Sequence, residues 1–199
     1  MNPRLRRLSA DAVMLREAFG SHPSIRVTPS QDDPPTAYSV GYSVPGVTLA
    51  PGSSQPQITN DHRATVRLVS GYPREKPYCI SDTIVFHPNF GARAGDEICI
   101  ADFWSSGQTL VDIIVKIGEM IQYKSFNVRS PLNAVAARWV DENPSVVPVG
   151  DVELWTHTVG GPKSDPIGPA PTLPQPAPSR VESPPPTPQG STLDLTDLS

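Results

Sequence analysis

Apolar residues recur at helical spacing near the start of the chain. Leu5, Leu8, Ala12, Leu15 and Phe19 form one stripe, with Arg4, Arg7, Asp11 and Arg16 off it, and Gly20 follows as a stop. This predicts an amphipathic helix over residues 3–19, packed on a sheet. The period then changes to two. Ser24–Thr28 is short and β-branched, and Tyr38, Val40, Tyr42 and Val44 alternate with Ser and Gly. Residues 45–61, rich in Pro, Gly, Ser and Gln, read as a long loop. Alternation resumes over Arg63–Val69, and Tyr78–Phe86 is a fourth strand centred on Thr83–Phe86. Four strands with no long crossover helix between them predict an antiparallel meander, and the chain as a whole an α+β fold.

Residues 87–108 have no clear period and contain Gly91, Gly95 and Gly107. A long coil inside a compact domain tends to be functional. Helical spacing returns at Leu110, Ile113, Ile114, Ile117, Met120 and Ile121, with Thr109 and Asp112 placed as a capping box. A third helix is predicted from Ser130-Pro131, serine as N-cap and proline at the first helical position. Its expected buried stripe is Leu132, Val135, Ala136 and Trp139, and Pro144 lies just past its end.

Composition divides the chain. Of 199 residues 37% are hydrophobic, a core for about 140–150 residues rather than for all of them. The 25 prolines, well above the roughly 5% average, crowd the last forty residues, including Pro184-Pro185-Pro186. We expect a folded domain over 1–160 and a disordered, polyproline II-like tail over 161–199. Leu193–Leu198 alternates apolar with acidic, a docking motif or an unstructured end.

Charge and cysteine count narrow the chemistry. A net charge of −4, with Arg4, Arg6 and Arg7 as the one basic cluster, argues against nucleic acid. No apolar stretch approaches a membrane span of about 20 residues, and no apolar signal core follows the basic N-terminus. Two cysteines make neither a disulfide framework nor a zinc site, so no metal and no cofactor is expected and a reducing cytoplasm is the default. Cys79 falls in a predicted strand and reads as a small buried residue. A lone cysteine is usually such a residue, and Cys99 differs in lying in the glycine-containing coil after Asp96-Glu97, where a thiolate could act as a nucleophile.

The order of elements brings four landmarks into sequence. Gly71-Tyr72-Pro73 marks a turn after the third strand. His87-Pro88-Asn89 follows the fourth, Ile98-Cys99-Ile100 comes next, and Ser130-Pro131-Leu132-Asn133 opens the last helix. This ordered set, over residues 3–140, resembles the ubiquitin-conjugating enzyme family. The resemblance implies that fold, with an active-site coil between the meander and the two later helices. It implies a modifier held as a thioester on Cys99, with a ubiquitin-like modifier, an activating enzyme and a target protein as partners. It further implies that Asn89 supports the loop and helps stabilise the oxyanion, and that His87 is structural although its type suits a general base. Ser130 stands where the family has an acidic or serine gate, Asp102 is an alternative group to orient an amine, and Arg4, Arg6 and Arg7 lie where the family binds its activating enzyme.

The chain also departs from the family pattern. The Asn89–Cys99 interval is longer than usual, the coil after Cys99 is short, the 45–61 loop is long, and residues 141–160 do not read as the two extra helices common in the family. These departures mark a divergent member and fit a bacterial conjugation operon better than a typical eukaryotic enzyme. Two other readings stand beside it: a conjugating-enzyme-like binding module without transfer activity, and a cysteine hydrolase pairing Cys99 with His62, His87 or His157.

Overall fold

The computed structural model describes residues 2–50, 52–100 and 104–155. Asp102, His157 and the proline-rich 161–199 segment lie outside the described residues.

Helix α1, Pro3–Phe19, starts at Asn2, whose side chain accepts the Arg4 N–H, and ends at Gly20. Its buried face is Leu8, Asp11, Leu15, Ala18 and Phe19, so Leu5 is exposed and Asp11, expected on the polar side, is in the core. The true stripe is rotated slightly because Asp11 has two partners waiting for it, described below.

Four strands form one antiparallel sheet in chain order: β1 Ile25–Pro29, β2 Ala37–Thr48, β3 Gln57–Arg67 and β4 Tyr78–Ser81. The meander expected from the sequence is therefore present, with two corrections. About half of the 45–61 segment is strand, since β2 runs on to Thr48 and β3 starts at Gln57. The β2–β3 pairing is interrupted between Ser43 and Gly46, where Pro45 cannot donate to the ladder, and resumes through Thr48 and Gln57. The fourth strand, in turn, ends at Ser81 rather than running to Phe86. Thr65 Oγ1 donates to Asp82 (2.8 Å), and the Arg63 N–H donates to Thr83 Oγ1 (3.1 Å). These side-chain bonds join a last backbone bond from the Asp82 N–H to the Arg63 carbonyl (2.8 Å), and the chain then crosses to the end of β2, where the Phe86 N–H reaches the Val47 carbonyl at 2.8 Å.

Helix α2, Leu110–Ile121, has the expected Thr109–Asp112 capping box and buries Ile113, Ile114, Ile117 and Ile121. It packs with α1 on one face of the sheet, and Tyr42 donates its hydroxyl to the Ile114 carbonyl across that interface (3.0 Å). Helix α3, Ala134–Glu142, begins later than predicted. Its N-cap is Asn133, whose side chain accepts the Ala136 N–H, and not Ser130. Its buried residues are Ala136, Ala137 and Val140, while Leu132 and Val135 are exposed. The Leu132 and Asn133 N–H groups both donate to the Pro88 carbonyl, which fixes the chain in non-helical conformation up to the cap. Beyond α3 only a 3-10 turn, Pro144–Val146, follows among the described residues.

Candidate active site

The coil after β4 folds back on itself as an irregular hairpin. Phe90 pairs with Ile98, the Cys99 N–H donates to the Asn89 carbonyl (2.9 Å), and the Gly91 N–H to the Glu97 carbonyl (2.9 Å). On its other edge the returning arm joins β4, with the Ile98 N–H on the Cys79 carbonyl (2.9 Å). The bend requires both its glycines. Gly95 has φ of 91°, and a Cβ on Gly91 would stand 2.1 Å from the Asp96 Cβ. Sequence periodicity misses this pairing because each arm is only a few residues long.

The two cysteines differ sharply. Cys79 is buried in β4, and burial pushes its thiol up to about 12, where it is protonated and inert at neutral pH. Cys99 is partly exposed and free, at the end of the hairpin arm.

Around Cys99 three chain segments are locked together. His87 is fully buried between Phe90 and Tyr123. Its Nδ1 accepts the Asn89 N–H (3.1 Å), which assigns the proton to Nε2, 3.2 Å from the Ser125 carbonyl. Burial lowers its basicity to about 3, with Lys116 adding to the effect and the Ser125 carbonyl opposing it. A ring so placed holds the turn and stays neutral. Asn89, 4% exposed, donates from Nδ2 to the Asn127 carbonyl (3.0 Å) and accepts the Asn127 N–H on Oδ1 (2.7 Å). The second Nδ2 proton has no partner among the described residues. Asn127 was not anticipated. Its partner is 38 residues away, and no spacing rule links a coil asparagine to an interhelical loop.

The remaining expected site residues are placed as follows. Ser130, relieved of any capping role, is exposed on the same 125–133 loop that holds Asn89 and meets Pro88. The arginine cluster is divided. Arg6 is exposed, Arg4 donates to the Leu68 and Val69 carbonyls (3.3 Å each), and Arg7 is an internal clamp. His62 is buried beside Gly46 and Ile121, bonded to the Thr59 carbonyl (3.1 Å), so neither described histidine of the hydrolase reading is an exposed base. A groove of about 320 Å³ runs between Leu49, Ile84, Phe86, Ala92, Asn133 and Val135, along the outside of the hairpin.

Among the described residues no group of three potential ligands could hold a metal ion, and no helix is long and apolar enough to cross a membrane. No curated protein matches the chain. The sequence pattern of the ubiquitin-conjugating enzyme matches residues 48–148, from the end of β2 through α3, a range that includes His87, Asn89, Cys99 and Ser130 but not the arginines of α1. With half of its length matched and the helix–meander–helix order in place, the chain belongs to the ubiquitin-conjugating enzyme family.

Proposed function

We propose that the chain is a conjugating enzyme that carries a ubiquitin-like modifier as a thioester on Cys99. The observation that supports this most is the contrast between the two thiols: Cys99 is reachable and mounted by a backbone hydrogen bond beside Asn89, whereas Cys79 is sealed in the sheet.

The chemistry follows from the mount. The Cys99 thiolate attacks the carbonyl of a modifier held as a thioester on an activating enzyme, and the activating enzyme's thiolate leaves. An amine of the target protein then attacks the Cys99 thioester carbonyl. The tetrahedral oxyanion collapses, Cys99 leaves as thiolate, and the nitrogen loses a proton to form an amide. The unengaged Nδ2 proton of Asn89 is a neutral donor suited to the oxyanion, since it can bind negative charge without transferring a proton. His87 contributes by holding the Asn89 backbone, not as a base. Ser130 and Asp102 are the groups we propose for orienting the incoming amine. We assign this chemistry to residues 1–160 and place the proline-rich 161–199 segment outside it.

Incubation with an activating enzyme, modifier and ATP, followed by a non-reducing gel, tests this reading. A thiol-sensitive adduct supports conjugation. Its absence favours a binding module, and cleavage of a modifier precursor without ATP favours a hydrolase.

A further inference from the structure

The Arg7 guanidinium on α1 engages three separate parts of the molecule. Its Nε is 3.0 Å from both oxygens of Asp11, one turn along the helix. Its terminal nitrogens donate to the Ser106 carbonyl (2.6 Å) and the Gln108 carbonyl (2.5 Å), about a hundred residues away in the chain. Its Cζ lies 5.4 Å from the Tyr72 ring centroid, and the Tyr72 hydroxyl donates to Asp11 at 2.6 Å. Beside this knot Trp104 packs on Tyr72 and donates Nε1–H to the Pro73 carbonyl (2.7 Å). Asp11 is 0% exposed, so its charge relies on these partners.

Ser106 and Gln108 belong to the loop through which the chain, having passed Cys99, reaches the Thr109 cap of α2. Arg7 thus holds the downstream end of the active-site coil, while Asn89 holds the upstream side. We propose that Arg7 is a positioning residue for Cys99, clamping the 104–109 loop to α1 so that the helix and the exit of the active-site coil move as one body. The inference rests on the reading of Cys99 as the modifier's carrier. It removes Arg7 from the free basic surface, and among the described residues the clamp connects to the thiol through the Tyr72 turn and β4, whose Cys79 carbonyl accepts the Ile98 N–H next to Cys99. Only a planar fork reaches a carboxylate and two carbonyls together, so lysine cannot replace it.

The test compares full-length wild type, Arg7→Lys, and Leu8→Val as a core variant of lowered stability that leaves the clamp intact. Each is charged, the activating enzyme is quenched, and discharge to free lysine is timed. Alkylation of uncharged Cys99 by iodoacetamide is timed in parallel. We expect Arg7→Lys to discharge about tenfold more slowly, the scale of a misplaced reacting group, and to be alkylated severalfold faster. Leu8→Val should match wild type in both at a temperature where all are folded. Rates for Arg7→Lys equal to those of wild type, or slowed only as much as in Leu8→Val, would overturn the clamp. If Arg7→Lys does not fold, Arg7→Met with Asp11→Leu removes both charges and carries the same expectation. A wild type that never forms a thioester would refute the carrier reading, while the alkylation comparison would still decide the clamp.

Discussion

Asn89 and Asn127 bind each other through a side chain on one and the backbone of the other, with Nδ2 donating to O at 3.0 Å and N–H donating to Oδ1 at 2.7 Å. The pair ties the turn that carries the Cys99 partner strand to the loop between α2 and α3. Asn89 is therefore both support and candidate donor, and the two roles separate by substitution. Asn89→Ala leaves the part-buried N–H and carbonyl of Asn127 without their partner, at a cost of up to about 1–3 kcal/mol in all. We expect a clearly lowered melting temperature, and discharge to lysine slowed more than charging, because amine attack builds the larger oxyanion. Equal slowing of both steps would leave Asn89 a structural role only. Asn89→Asp keeps the acceptor but points a carboxylate at the Asn127 carbonyl, so its melting temperature should fall further below that of wild type at pH 7 than at pH 4, where a protonated acid can donate. Thermal melts at the two pH values check this.

His87 sets a pH dependence whose sign is fixed. Its folded-state pKa, about 3, lies below the usual 6.5, so between these values the unfolded chain binds the extra proton. Its contribution to stability is intact above pH 6.5 and is lost as pH falls toward 3, with a slope of up to about 1.4 kcal/mol per pH unit. His62, also lowered by burial, acts in the same direction. Denaturant melts of wild type and His87→Asn from pH 7 to 4.5 should show a shallower acid loss in the variant. Discharge kinetics should carry no inflection that His87→Asn removes; such an inflection would make His87 a base after all.

Arg6 is the one arginine of its cluster that is exposed. Arg6→Glu should slow charging at low salt, lose that effect at high salt, and leave the melting temperature unchanged. Arg7→Glu should instead destabilise the fold by about 3–5 kcal/mol, because it sets a second acid against buried Asp11. Charging rates at two salt concentrations, together with melts, separate these effects. Unaltered charging of Arg6→Glu at low salt would remove this surface from the docking site.

Much of the fold was legible because its signals are local. The Leu110–Ile121 stripe with its Thr109 cap, and the alternation of β2, needed only neighbours in sequence. The failures were places where a distant group decided the outcome. Asp11 sits at helical spacing with Leu8, Leu15 and Ala18, yet its charge argued for solvent until Tyr72 and Arg7 were seen to satisfy it. Pro45 argued for a loop, and a bulge absorbed it. Ser130-Pro131 carried a helix-start signal, but the Pro88 carbonyl captured the two N–H groups before the cap. At the site, His87, Asn89 and Cys99 were legible as an ordered motif, and the structure brings them together. Asn127 and the Arg7 clamp were not, because both depend on contacts between segments far apart in sequence.

The most direct measurement locates the bond to the modifier. Cys99→Ser, charged with activating enzyme, modifier and ATP, should form an oxygen ester that resists reductant but not hydroxide, and peptide mass mapping should place it on residue 99. Cys99→Ala should form no adduct, and Cys79→Ala should charge like wild type. An adduct that persists in Cys99→Ala and disappears in Cys79→Ala would contradict the account.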